Sequence, residues 1–161
     1  MNGLTRSPAR LLVVSATIVA LTALALASSV LASSPRSGDL HLTKACPQPG
    51  YTGLAGSYCT VTSSNLKAIP VGATITYASA NGVPVPGWAD SDIVLDAGPG
   101  NTAFGHVNLN LMGPPPHYGV ATFSGGTGKF THFHAGPLAI VCAPINGVGN
   151  CSWDGPYSFS P

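Results

Sequence analysis

Hydrophobic and polar positions alternate along most of this chain in short runs broken by Gly, Pro and Asn. The alternation predicts strands over 57–62, 73–78, 91–96, 105–111, 118–124, 129–134, 138–143 and 151–159. In 105–111 the period of two is explicit: His106, Asn108 and Asn110 face one way, and Val107, Leu109 and Leu111 the other. No segment carries a long stripe at the helical period. Many short strands with regular spacing and turn residues between them predict an all-β barrel or sandwich. Residues 33–56 are rich in Ser, Pro and Gly with little periodicity, and read as a mobile arm that becomes ordered near Cys46.

The strongest local pattern is the stretch 121–134, which predicts a β-hairpin. Gly125, Gly126 and Gly128 supply the positive φ angles of a tight reversal, and Val120, Phe and Thr on either side favour a pleated backbone. With a loop over 125–128, Ser124 pairs with Lys129, Phe123 with Phe130, Ala121 with His132 and Gly119 with His134. A phosphate cradle fits less well, because no helix pattern follows Gly128 and Lys129 is not in P-loop spacing.

This hairpin carries a family resemblance. Gly125-Gly126-Thr127-Gly128-Lys129-Phe130 resembles the glycine-rich turn of the allene oxide cyclase and dirigent-like barrels. The likeness extends to Gly105-His106-Val107-Asn108, to Asp92-Ile93-Val94-Leu95-Asp96-Ala97-Gly98-Pro99-Gly100-Asn101, and to the spacing of strands over 57–159. The chain is thus similar to a small secreted bacterial member of that superfamily. The resemblance implies a single eight-stranded antiparallel β-barrel of calycin type. It tips the choice from sandwich to barrel over residues 46–161, with a flexible arm over 33–45. It also implies two activities whose residues are missing. Cyclases of the family isomerise an unsaturated epoxide with a buried Glu in their catalytic set, and this chain contains no Glu. Dirigent proteins orient phenoxy radicals with pocket Asp and Arg residues, and Arg36, in the arm, is the only arginine beyond residue 32.

The amino-terminal end changes the picture of where the protein works. Arg6 and Arg10 precede a continuously apolar or small run over 11–27, and Val30-Leu31-Ala32 fits small-residue cleavage, so 1–32 reads as a secretory signal. An uncleaved anchor is the alternative, since the run approaches the length of a membrane span. Cleavage leaves 129 of the 161 residues, enough for one domain with a core. Its four cationic residues, Arg36, Lys44, Lys67 and Lys129, stand against five aspartates, for a net charge of −1. Such a surface has no electrostatic footprint for nucleic acid or an anionic membrane. Cys46, Cys59, Cys142 and Cys151 form an even set in an exported chain, which points to disulfides. Of the three pairings, the local ones, Cys46 with Cys59 and Cys142 with Cys151, are favoured over a zinc site, because no C-x-x-C pair occurs.

Candidate chemistry is sparse. His132 and His134 lie two apart on a predicted strand and share a face with Phe130. A metal site would need a third ligand, with His106 the candidate, and the set is too incomplete to assign one. We expect no metal and no cofactor. If that face is interior, His132, His134, Phe123 and Phe130, with His106, line a lumen that accepts a small apolar or aromatic molecule. Asp90, Asp92 and Asp96 crowd beside Trp88, out of calcium-loop spacing, and are explained by a solvated strand edge. No Ser stands in a nucleophile elbow, and paired cysteines are not free thiols. A secreted binding barrel therefore requires fewer missing residues than a cyclase or dirigent-type enzyme, with a structural cell-surface barrel of filled core as a further alternative. Mass spectrometry of protein recovered from culture medium should find Ser33 as the first residue; recovery from membranes alone with 1–32 intact would contradict the signal.

Overall fold

The structure, a computed structural model, describes residues 36–160, so the expected signal and its cleavage site lie outside the described residues. Eight strands follow one another: β1 (Ser37–Cys46), β2 (Tyr58–Ser64), β3 (Thr74–Tyr77), β4 (Trp88–Asp96), β5 (Thr102–Asn110), β6 (His117–Gly126), β7 (Phe133–Ile145) and β8 (Val148–Phe159). Each is antiparallel to the next, and β8 returns to β1, closing the eight-stranded antiparallel barrel expected from the sequence. Closure leaves no free sheet edge. Inward and outward positions alternate: on β4, Ala89, Ser91, Ile93 and Leu95 are buried, whereas Asp92 and Asp96 are exposed.

Three expectations are corrected. The first concerns the flexible arm over 33–45. From Ser37 it is strand β1, which pairs with β8 from Ser37↔Ser158 to Cys46↔Gly149 and with β2 on its other side. The second is the separation of 129–134 from 138–143. From Phe133 onward this is one strand, β7, interrupted by a register shift between Ala135 and Ala139. Gly136, at φ 114°, and Pro137 form that bulge, and a bulge bends a strand without ending it. The third is the hairpin register. Ser124 pairs with His134 and Phe123 with Ala135, while Gly128–Phe130 is a single 3₁₀ turn, η1.

The turn takes this form because it packs on its neighbour. Gly128 sits at φ 56°, and a Cβ there would collide with the Gly100 carbonyl and the Asn101 side chain. Thr127 donates its hydroxyl to the Gly100 carbonyl (3.0 Å), and the Lys129 amide donates to Asn101 Oδ1 (3.1 Å). The two glycine-rich segments singled out in the sequence therefore interlock, and η1 swings Phe130 into the barrel end.

That end is a plug of aromatic rings. Phe130 and Phe133 meet edge to face at 5.3 Å, and Phe133 contacts Phe123 at 5.7 Å and Phe159 at 5.1 Å. Phe123 reaches Trp153 at 6.1 Å. Leu66 and Ile69 of the β2–β3 connection are buried in the same core. Rings at these separations add to simple area burial. Both expected disulfides are present, Cys46–Cys59 joining β1 to β2 and Cys142–Cys151 joining β7 to β8. Truncating the ring that η1 adds to the plug, Phe130→Ala, should lower the unfolding free energy by about 3–5 kcal/mol in urea titration, the usual cost of an aromatic cavity. A change below about 1 kcal/mol would show that η1 does not seal the end.

Candidate functional site

The expected ligand wall does not assemble. Phe123 and Phe130 are buried in the plug, but His132, His134 and His106 are all exposed on the outside of the barrel. The register shift around the β6–β7 turn is the reason: it moves His134 opposite Ser124 and leaves His132 in the turn before β7. His134 and Phe123 border an open outer groove of about 380 Å³, and His132 borders another with Arg36 and Lys129. His106 stands between two aspartates, Nε2 3.0 Å from Asp90 and Nδ1 2.9 Å from Asp92. These contacts use opposite edges of one ring, so the three cannot converge on an ion. Among the described residues no cluster of three or more His, Cys, Asp or Glu is placed to hold a metal. The alternation expected for β5 holds at His106 and Val107, but it is Val107 that is buried and His106 that is exposed.

A partly open cavity lies at the other end of the barrel, where odd-numbered strands finish and even-numbered strands begin. It measures about 270 Å³. Its walls are Lys44 and Cys46 of β1, Tyr77 of β3, Ala89 of β4, Leu109 of β5, His117 of β6, Cys142 of β7 and Cys151 of β8, with Tyr51 and Leu111 from the loops. The loops around this mouth are tied together. Asn81 N–H donates to the Gly53 carbonyl (2.8 Å), Tyr51 donates its hydroxyl to Asn81 Oδ1 (2.9 Å), and Leu111 N–H donates to the Gly87 carbonyl (2.8 Å). Leu54, Val83, Val85 and Met112 in three of the connections, and Ile145 at the end of β7, are exposed apolar side chains at this mouth.

Lys44 is the unusual wall residue. The alternation that buries Leu40 and Leu42 on β1 points Lys44 inward as well, and only 2% of it is exposed. Its Nζ donates to the Tyr77 hydroxyl oxygen and, weakly, to Cys59 Sγ (3.4 Å) and Cys46 Sγ (3.5 Å). It lies 5.1 Å from the Tyr77 ring and 5.1 Å from the Trp153 ring. No carboxylate faces it: all five aspartates are on outward positions of β1, β4 and β8. The titratable groups around it are Tyr77, Tyr51 and His117. Ring faces and one hydroxyl do not replace the hydration of an ammonium ion. Burial accordingly pushes the Lys44 amine down to about 7. Burial, and secondarily the nearby Tyr51, pushes the Tyr77 hydroxyl up, so it stays a neutral donor and acceptor. Tyr51 is also raised by burial, against the opposing effect of its bond to Asn81.

This arrangement offers an amine of lowered basicity and a hydroxyl in hydrogen-bond contact, inside a largely apolar cavity. The sequence did signal it: Leu40-His41-Leu42-Thr43-Lys44 alternates with period two, and Lys44 falls on the leucine side. Comparison of the chain with family models, with curated proteins and with solved structures finds no match.

The burial of Lys44 makes stability depend on pH in a definite direction. The folded pKa of about 7 lies below that of an unfolded lysine, roughly 10.4, so between them the unfolded chain binds more protons and stability rises with pH. The penalty is fully present below about pH 7, where it is on the order of 5 kcal/mol, and disappears toward pH 10. Tyr77 is raised, so its contribution is complete below about pH 10 and is lost only above that. Unfolding free energy should therefore climb by about 2 kcal/mol between pH 7 and about 9. Lys44→Met should flatten this rise and stabilise the protein at pH 6. A wild-type profile as flat as that of the variant would contradict an uncharged, buried amine.

Proposed function

We propose that the protein is a secreted binding barrel that takes a small apolar or aromatic molecule in its mouth cavity, with a single polar group of the guest turned toward Lys44 and Tyr77. The observation that carries this reading is the mouth cavity of about 270 Å³, whose largely apolar lining has Lys44, Tyr77, Tyr51, His117 and Gln48 as its polar members. Its volume falls just below the range usual for drug-sized ligands, so the guest is about the size of one substituted ring. The apolar side chains exposed around the mouth support the same reading, since they gather on the loops a guest must pass. The two disulfides favour an oxidising compartment, in keeping with export. Strand number and order support kinship with the allene oxide cyclase and dirigent-like barrels as part of this proposal. A cyclase or dirigent activity receives less support: the cavity is lined by neither Glu, Asp nor Arg.

The test uses Trp153, whose ring lies beside Lys44. In a Trp88→Phe background it is the sole indole, and 4-nitroacetophenone, a quenching aromatic ketone, should quench it saturably with one site per chain. Gly149 lines the cavity, and a Cβ there would meet only the Cys46 Cβ, at 3.7 Å. Gly149→Phe should therefore fill the cavity and weaken saturable quenching at least tenfold while the fold persists. Quenching that stays linear in ketone concentration, or is indifferent to Gly149→Phe, would remove the cavity as a binding site.

A further inference from the structure

We propose that Lys44 is a covalent capture site: its amine condenses with a small aromatic or unsaturated aldehyde that enters the mouth cavity, holding it as an imine. The proposal rests on the binding reading above and adds the chemical class of the guest. Three structural facts carry it. Lys44 is buried and lines the mouth cavity, whereas a lysine is ordinarily at the surface. No carboxylate is placed to hold it as an ammonium ion, because every aspartate faces outward. The Tyr77 hydroxyl is in direct contact with it, and the remaining surroundings are ring faces and disulfide sulfurs. A desolvated amine in an apolar pocket is the condition under which lysine acts as a nucleophile toward carbonyl compounds.

The step balances within the residues present. The nitrogen lone pair adds to the carbonyl carbon, and the π pair of the carbonyl moves to its oxygen. The Tyr77 hydroxyl takes a proton from nitrogen as it delivers its own to that oxygen, giving a neutral carbinolamine and leaving Tyr77 unchanged. The nitrogen lone pair then forms the C=N bond as the C–O bond breaks. The departing hydroxyl leaves with the second N–H proton as water, so amine and aldehyde give imine and one water, with nothing oxidised or reduced. The largely apolar lining favours the uncharged product over a charged one. Burial pushes the amine down to about 7, which makes the reaction available near neutral pH. An amine in open water is almost wholly protonated there.

Benzaldehyde with sodium cyanoborohydride, which reduces an imine to a stable secondary amine, provides the test on the mature chain. Peptide mapping after brief exposure at pH 7 should place the benzyl group on Lys44 at least tenfold faster than on Lys67 or Lys129, with the α-amine as an internal reference. The Lys44 rate should rise with pH to a plateau just above 7. Tyr77→Phe should keep the selectivity for Lys44 while slowing it about tenfold, the mark of a hydroxyl that moves a proton; an unchanged rate overturns that role. Labelling of Lys44 no faster than Lys67 and Lys129 overturns the capture site. The two levels of the proposal separate cleanly. If 4-nitroacetophenone binds saturably but benzaldehyde does not label Lys44, the imine fails and the binding barrel stands. If neither occurs, both fail.

Discussion

The structure depends on the ladder between β1 and β8. Seven strands in a meander would leave β2 and β8 as open edges with unpaired backbone groups. β1 fills that gap, pairing along its full length with β8 and on its other side with β2. The closing strand cannot choose its facing, because register fixes which side chains enter the barrel. Leu40 and Leu42 entering the core oblige Lys44 to enter too, one alternation further toward the mouth. The interior amine is thus a consequence of closure.

The two ends of the barrel solve the problem of filling an eight-stranded interior differently. At one end the β6–β7 connection folds inward as η1, and Phe130 joins Phe123, Phe133 and Phe159 in a packed plug. At the other end the connections only line the opening, Tyr51 meeting Tyr77 at 5.4 Å. The rim loops bond to one another rather than fold into the barrel, through Asn81 to Gly53 and Leu111 to Gly87. The space they do not fill is the cavity. Trp153, fully buried, stands between the halves, 6.1 Å from Phe123 on the plug side and 5.1 Å from Lys44 Nζ on the other.

Most strands were legible in the sequence because their alternation is clean, and the disulfides because the local pairs lie close in sequence. The arm was misjudged for a physical reason: in Leu40-His41-Leu42-Thr43-Lys44 the inward series ends on a lysine, and a charged residue breaks the apolar pattern by which a strand is recognised. The residue that concealed β1 is the one that gives the cavity its chemistry. The hairpin register failed because Gly125, Gly126 and Gly128 are compatible with a two-strand turn, while their use here is close approach to the β4–β5 turn, a tertiary contact no local pattern reports. The simple register puts His132 and His134 on one face with Phe123 and Phe130, and the actual one separates them. On the barrel, such residues behave as exposed polar groups do, and an exposed His–Asp contact such as His41 Nδ1 to Asp154 at 2.7 Å contributes about 1 kcal/mol or less.

Lys44 differs from them in costing stability where they cost none. Burying its amine without a carboxylate opposes folding by something on the order of 5 kcal/mol at neutral pH and below, whereas a methionine of similar length would fill the same space with no such penalty. Disulfides typically stabilise a domain by about 2–4 kcal/mol each, and both of those present close strand pairs at this same end, Cys46–Cys59 within 3.5 Å of the amine itself. The mouth is therefore strengthened covalently at the place where it is weakened electrostatically. A fold that needed only a closed core would have no reason to combine the two, since an apolar side chain at position 44 would make the strengthening unnecessary. A costly polar group held in a cavity by compensating structure is the expected mark of a site whose chemistry is used.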